Sequence, residues 1–263
     1  MGEARDMEKE KMTDAIQRGS VKVGQCDVRY LEAGSGPVLV YLHGAGGLRL
    51  SQAHRILAQR NRVIALEVPI GDALRSFDDI AAVLNQALEV LTIERFSLMG
   101  HSVGADVALR MAIARPAPLT SMILIAPTAI RPTIVDPMAR ATSDAGVRAT
   151  DWLCEGGGVE LASQRREAFA TLMGDGRDPA FETRMGEIAV PVLAVFGTSD
   201  PIVSTDAARH YSVLLRKCFT VMVYDATHDI EADRPDAVAA IVGNFLAHGE
   251  GFVINRDNGI INP

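Results

Sequence analysis

Ser102 stands between two glycines in Gly100-His101-Ser102-Val103-Gly104, and the chain changes character around it. Phe96 to Met99 form an apolar, strand-like run, whereas Val103, Val107, Ala108, Met111 and Ala112 repeat at helical spacing. A strand that turns at once into a helix leaves the serine alone at the tip, in a poor backbone conformation. Glycines on either side remove side chains that would collide where the two elements nearly touch. A serine hydroxyl is a weak nucleophile. To attack an acyl carbon it needs a base to take its proton, an acid to orient the base, and donors to hold the developing oxyanion. Two glycines around a serine also occur in ordinary turns, so the partners decide the reading.

The acid is sought after the apolar run Val190 to Phe196, which ends in Gly197-Thr198-Ser199-Asp200-Pro201. Asp200 lies where a buried strand opens into a loop, and Pro201 stops the strand from continuing. The competing reading is an aspartate that only makes a turn hydrogen bond to nearby backbone. The base is expected at His228, just after the strand-like Phe219 to Val223. Histidine, with an ordinary pKa of about 6.5, can take and return a proton near neutral pH. The order is Ser102, Asp200, His228. Asp225 and Asp229 are the alternatives should Asp200 not serve.

The other histidines have plainer readings. His101 adjoins the serine and should point away from it; His54 and His210 fall in predicted helices, and His248 in a last helical turn. His43 opens His43-Gly44-Ala45-Gly46-Gly47 after the strand Val38 to Leu42. There a glycine-rich loop exposes backbone N–H groups, and the expected contribution is backbone rather than imidazole. The N–H groups of Ala45 and Val103 are the candidate oxyanion donors.

These residues require an alternating scaffold. An opening hairpin, Val21–Val23 and Val28–Glu32, is expected around Gly24-Gln25. Strands follow at about 38–42, 62–67, 95–99, 121–126, 191–196 and 219–224, with helical stripes between, such as Ile80, Val83, Leu84, Ala87, Leu88 and Leu91. Every candidate group falls at the end of a strand. Residues 131–187 interrupt the alternation; Met138, Trp152, Leu153 and a helix over Leu161–Met173 are candidates to line a pocket there, with Glu155 at a turn and Gly156-Gly157-Gly158 as a hinge or simple loop.

On these motifs the chain resembles the serine-dependent branch of the α/β-hydrolase superfamily along nearly its whole length. The matching pieces are Leu42-His43-Gly44, Gly100-His101-Ser102-Val103-Gly104 as the nucleophile elbow, Gly197-Thr198-Ser199-Asp200, and Thr227-His228. The resemblance implies an eight-stranded, mostly parallel sheet flanked by helices. The core is then 1–130 and 188–263, with 131–187 as a helical cap over the open strand ends. It also implies ester cleavage first, with thioesters or carbon-carbon bonds as alternatives on the same triad; a non-catalytic binding protein on the same fold is a further alternative. A serine at the elbow disfavours the haloalkane dehalogenase and epoxide hydrolase branches, which need a carboxylate there. Two departures stand out. Glu67-Val68-Pro69-Ile70-Gly71-Asp72 is short where many relatives carry an Asp and a Gly-x-Gly-x-Ser run. Thr227 stands where many have Gly.

Composition bounds the rest. With 263 residues and 48% hydrophobic content, the chain can bury a substantial core. A net charge of -7 gives no basic footprint for nucleic acid or anionic membrane, so a small-molecule substrate is expected and the oligomeric state is left open. No cofactor or metal is called for. Met1 to Lys11 is charged and lacks an apolar core, and no run approaches the roughly 18 apolar residues of a membrane span, so a cytoplasmic protein is expected. Cys26, Cys154 and Cys218 are odd in number and widely spaced, which favours free, partly packed thiols.

Overall fold

The computed structural model describes residues 15–130, 151–154, 158–174 and 177–253. Strands β1 (Gln17–Val23) and β2 (Cys26–Ala33) form the opening hairpin, longer at both ends than the apolar pattern implies. Then follow β3 (Val38–Leu42), β4 (Arg49–Ser51), α1 (Gln52–Leu57), β5 (Arg62–Leu66), α2 (Phe77–Val90), β6 (Phe96–His101), α3 (Val103–Ala114) and β7 (Leu119–Ile125). The interrupting segment contributes β8 (Asp151–Cys154), α4 (Gly158–Met173), α5 (Pro179–Arg184) and a short turn, Met185–Glu187. The chain returns through β9 (Val192–Gly197), α6 (Ala207–Leu214), β10 (Cys218–Val223), α7 (Ile230–Asp233) and α8 (Pro235–His248). A last turn, Gly249–Val253, packs Phe252 edge-on against Phe219 and Phe245.

Eight strands make one sheet in the order β1-β2-β5-β3-β6-β7-β9-β10. Only the β1–β2 and β2–β5 pairs are antiparallel; the other five are parallel. Parallel strands need crossovers, and the helices that provide them cover both faces, so the central strands are buried on both sides. Residue parity divides the core accordingly. Val40, Leu42, Leu98, Leu124, Ala194 and Phe196 face α2 and α3. Leu39, Tyr41, Met99, Ile123, Ile125, Leu193 and Val195 face α1 and α8.

A second sheet was not legible in the sequence: β4 pairs antiparallel with β8, matching Arg49 with Cys154 and Leu50 with Leu153. Three residues following a glycine-rich loop carry no period from which a strand could be read.

Candidate active site

Crossovers turn at the carboxyl ends of the parallel strands, and there the candidate residues gather. Ser102 follows β6 directly, with φ 53 and ψ -123, a left-handed conformation that costs a non-glycine residue of order 1–3 kcal/mol. The surroundings impose it. A side chain on Gly100 would lie 2.5 Å from the Gly104 carbonyl oxygen, and one on Gly104 would lie 2.3 Å from that of Leu42. The elbow is held by Ser102 N–H donating to Ile125 O and Ala105 N–H donating to Ser102 O, both at 2.9 Å.

His228 leaves the loop after β10 with Nε2 2.9 Å from Ser102 Oγ and Nδ1 2.9 Å from Asp200 Oδ2. Asp200 also makes its turn: Oδ1 accepts the N–H groups of Ile202 at 2.7 Å and Val203 at 3.0 Å. The carboxylate thus contacts the imidazole through one oxygen and makes its turn through the other. Its side chain is fully buried. A carboxylate at Nδ1 places the imidazole proton on that nitrogen and leaves Nε2 to accept the serine hydroxyl. Asp225 pairs instead with Arg234, and Asp229 with Arg49.

Thr227 occupies the place of the expected glycine without opening the loop. Its N–H and Oγ1 both donate to Asp233 Oδ2, at 2.7 and 2.5 Å.

The loop after β3 lies against the elbow. A side chain on Gly44 would come within 3.2 Å of Ser102 Cβ and 3.0 Å of His101 Nδ1, so glycine permits the close approach of this loop to the elbow. On the other side, Val103 opens α3, where first-turn N–H groups have no acceptor within the helix and the positive end of the dipole favours an anion. His43 does more than the sequence implied. Its Nε2 accepts Val68 N–H at 2.9 Å, so its Nδ1 carries the proton and donates to Gly44 O at 2.6 Å. Burial, the main cause, lowers its pKa to about 3, so the ring stays neutral and braces this loop.

Comparison with known proteins agrees with this fold. The model described as the alpha/beta hydrolase family matches residues 39–241. The chain belongs to the alpha/beta hydrolase family. This alpha/beta hydrolase is 22% identical over 275 residues to the 2-hydroxy-6-oxo-6-(2'-aminophenyl)hexa-2,4-dienoic acid hydrolase of Metapseudomonas resinovorans, across 90% of this chain and 93% of that one. A 102-residue stretch is 37% identical to an uncharacterised protein of Mycobacterium bovis, 35% of this chain but only 30% of that relative's length. In structure the chain is similar to a bacterial membrane phospholipase A, with TM-score 0.75 and 21% identity over 93% of this chain and 90% of that one. The carboxylesterase CesB from Bacillus subtilis is similar too, with TM-score 0.66 and 19% identity over 94% and 98%. At such identities the structural likenesses speak for the fold alone.

Beyond the three central residues, the chain buries a polar cluster whose pairing the sequence did not reveal. His101 turns from the serine, as expected, but toward the base loop: Nε2 lies 3.0 Å from the His228 carbonyl oxygen. Arg49, Asp229 and Glu231 are buried nearby. Their partners lie far off in the chain, so no local pattern announces them. His54 and His210 lie in helices and His248 in a last helical turn, as the periodicity implied.

The interrupting segment reaches the carboxyl end of β5. Arg165 on α4 donates to Glu67 Oε1 at 2.5 Å, just beyond the end of β5, and Arg29 binds both oxygens of that carboxylate. Burial opposes the charge on Glu67, but Arg29 and then Arg165 outweigh it and hold the carboxyl below its ordinary range. Phe169 stacks on Phe77, centroids 6.4 Å apart. Met138, the side chains of Trp152 and Leu153, Glu155, Gly156 and Gly157 lie outside the described residues. Cys26 and Cys218 are free and half-buried. Among the described residues no helix is long and apolar enough to cross a membrane.

Proposed function

We propose that this chain is a serine hydrolase that cleaves an ester or related acyl bond of a small, mainly apolar substrate through an acyl-enzyme. In this scheme Ser102 Oγ attacks the acyl carbon while His228 Nε2 takes its proton. Asp200 steadies the imidazolium through Nδ1–H, and His228 then gives the proton to the departing alkoxide. Water repeats the sequence: His228 takes one of its protons, the hydroxyl joins the acyl carbon, and the carboxylic acid leaves as Ser102 recovers its hydrogen. The N–H groups of Ala45 and Val103 hold the oxyanion, a donor of this kind being worth about 3 kcal/mol. Residues 131–187 serve as a cap over the strand ends, latched at Glu67 by Arg165.

One observation carries the reading: a serine in left-handed backbone at a strand end, joined to a buried carboxylate through one imidazole by two contacts of 2.9 Å. The test is hydrolysis of p-nitrophenyl esters of graded acyl length, run beside Ser102→Ala and a fluorophosphonate label. Turnover and labelling that vanish in Ser102→Ala are expected. Folded wild-type protein that neither labels nor hydrolyses would overturn the proposal. The full-length relative from Metapseudomonas resinovorans favours a second reading, carbon-carbon bond hydrolysis by the same triad. A Ser102 that labels readily, with no ester turnover but with turnover of a 2-hydroxy-6-oxo-dienoate, would select it.

A further inference from the structure

Behind His228 lies a buried polar group that the triad does not use. Arg49 donates to Asp229 Oδ1 at 2.5 Å, and Asp229 is the residue after the base. His101 Nε2–H donates to the His228 carbonyl at 3.0 Å. Tyr41 O–H donates to Glu231 Oε2 at 2.9 Å, and His54, 3.7 Å from Glu231 through Nε2, packs at a tilt against the Tyr41 ring. Three successive residues of the base loop are thus fastened: Thr227 locally to Asp233, His228 to a residue 127 positions away, and Asp229 to one 180 positions away.

Arg49 has a second role in the architecture. It lies on β4, the strand that receives β8 of the interrupting segment, and its register partner is Cys154. The guanidinium that holds the base loop therefore stands on the ledge where that segment is seated. Paired buried charges are stiff connectors, because neither can leave the other without stranding a charge in the interior. His101, Asp229 and Glu231 also offer ligand atoms within 4.8 Å of one another. However, Arg49 already supplies the positive charge at Asp229, and His101 Nε2 is committed to the His228 carbonyl, which favours a positioning role over a metal.

We propose that Arg49, Asp229 and His101 are positioning residues that couple the seating of strand β8 to the placement of the His228 imidazole. This deepens the serine-hydrolase reading and rests on it. When β8 is seated, Arg49 is fixed, Asp229 is drawn to it, and the His228 ring is carried to its place between Ser102 and Asp200. When β8 lifts, the ring loses register.

The experiment compares wild type with Arg49→Met, the double variant Arg49→Met/Asp229→Leu, His101→Phe, His101→Gln and Leu153→Pro, which removes a β8 donor. The readouts are Tm, kcat, KM, fluorophosphonate labelling and the ¹⁵N resonances of the His228 ring. Displacing a catalytic group by about 1 Å costs on the order of 10²-fold, so kcat and labelling should fall by about that much while KM stays within about threefold. His101→Gln, which keeps a donor, should recover most of the loss of His101→Phe. Leu153→Pro should lower kcat in wild type and add nothing in Arg49→Met, because the two act as one unit. The double variant leaves no unpaired carboxylate at Asp229 and so covers the case in which Arg49→Met fails to fold. Folded variants with kcat near wild type, or losses that multiply, would overturn the proposal. If wild type neither labels nor turns over, the serine-hydrolase reading fails, yet the His228 resonances still decide: a ring unmoved by Arg49→Met overturns the coupling by itself.

Discussion

Asp200 divides its carboxylate between two tasks, and that division makes its amide counterpart diagnostic. One oxygen needs to accept from the Ile202 and Val203 N–H groups, the other from His228 Nδ1–H. In Asp200→Asn the amide oxygen stays on the backbone donors, where an NH2 would meet two N–H groups head-on. The NH2 then faces His228 and demands an acceptor at Nδ1, which moves the imidazole proton to Nε2, where it cannot receive the proton of Ser102. The expected result is a kcat lower by about 10³- to 10⁴-fold with Tm and KM little changed. A rate within tenfold of wild type would assign the acid elsewhere. The three central residues were legible because each sits where an apolar run gives way to a glycine or a turn. The imidazole of His43 was not, since its partner Val68 belongs to another strand's exit and nothing in the glycine-rich loop announces it.

At the scale of elements, the alternating pattern revealed the main sheet because burial on both faces writes long apolar runs, as in β3, β7 and β9. It missed the β4–β8 pair, whose strands are too short for a period. The segment after β5 is short where many relatives carry a longer run. The structure gives its first residue, Glu67, a use: it receives α4 through Arg165. In Arg165→Met, Glu67 keeps both bonds from Arg29, so no carboxylate is stranded and the cost should be about 1.5–3 kcal/mol, a lost charge-assisted hydrogen bond. The effect should fall on the segment rather than on the chemistry. Limited proteolysis within 158–173 should accelerate and KM for longer esters should rise several-fold, with kcat for a short ester retained. Unchanged cleavage would show that Phe169 and its apolar neighbours hold α4 without the ion pair.

Across the whole molecule, burial has set two kinds of group against each other. Desolvation lowers the pKa of His43 to about 3, of His54 to about 3 and of His101 to about 4, all below the ordinary 6.5. It raises Asp106 to about 7, against the hydrogen bonds that its carboxyl makes with Thr128. Between about pH 4.5 and 6 the folded protein keeps the three histidines neutral, whereas the unfolded chain protonates them. In the same window Asp106 is protonated when folded and ionised when unfolded. Unfolding therefore takes up three protons and releases one, a net uptake of roughly two, so these groups make stability rise with pH by about 2.7 kcal/mol per unit. Asp106→Asn separates the opposing contributions. Asparagine mimics the neutral acid and can still meet the Thr128 N–H and hydroxyl, but it has no proton to release. Urea unfolding at several pH values should then show a slope steeper than wild type by about one proton, 1.4 kcal/mol per unit. The two curves should meet in slope above about pH 7, where Asp106 is ionised in both states. Equal slopes throughout the acid window would mean that Asp106 folds as a carboxylate, and that its bonds to Thr128 outweigh its burial.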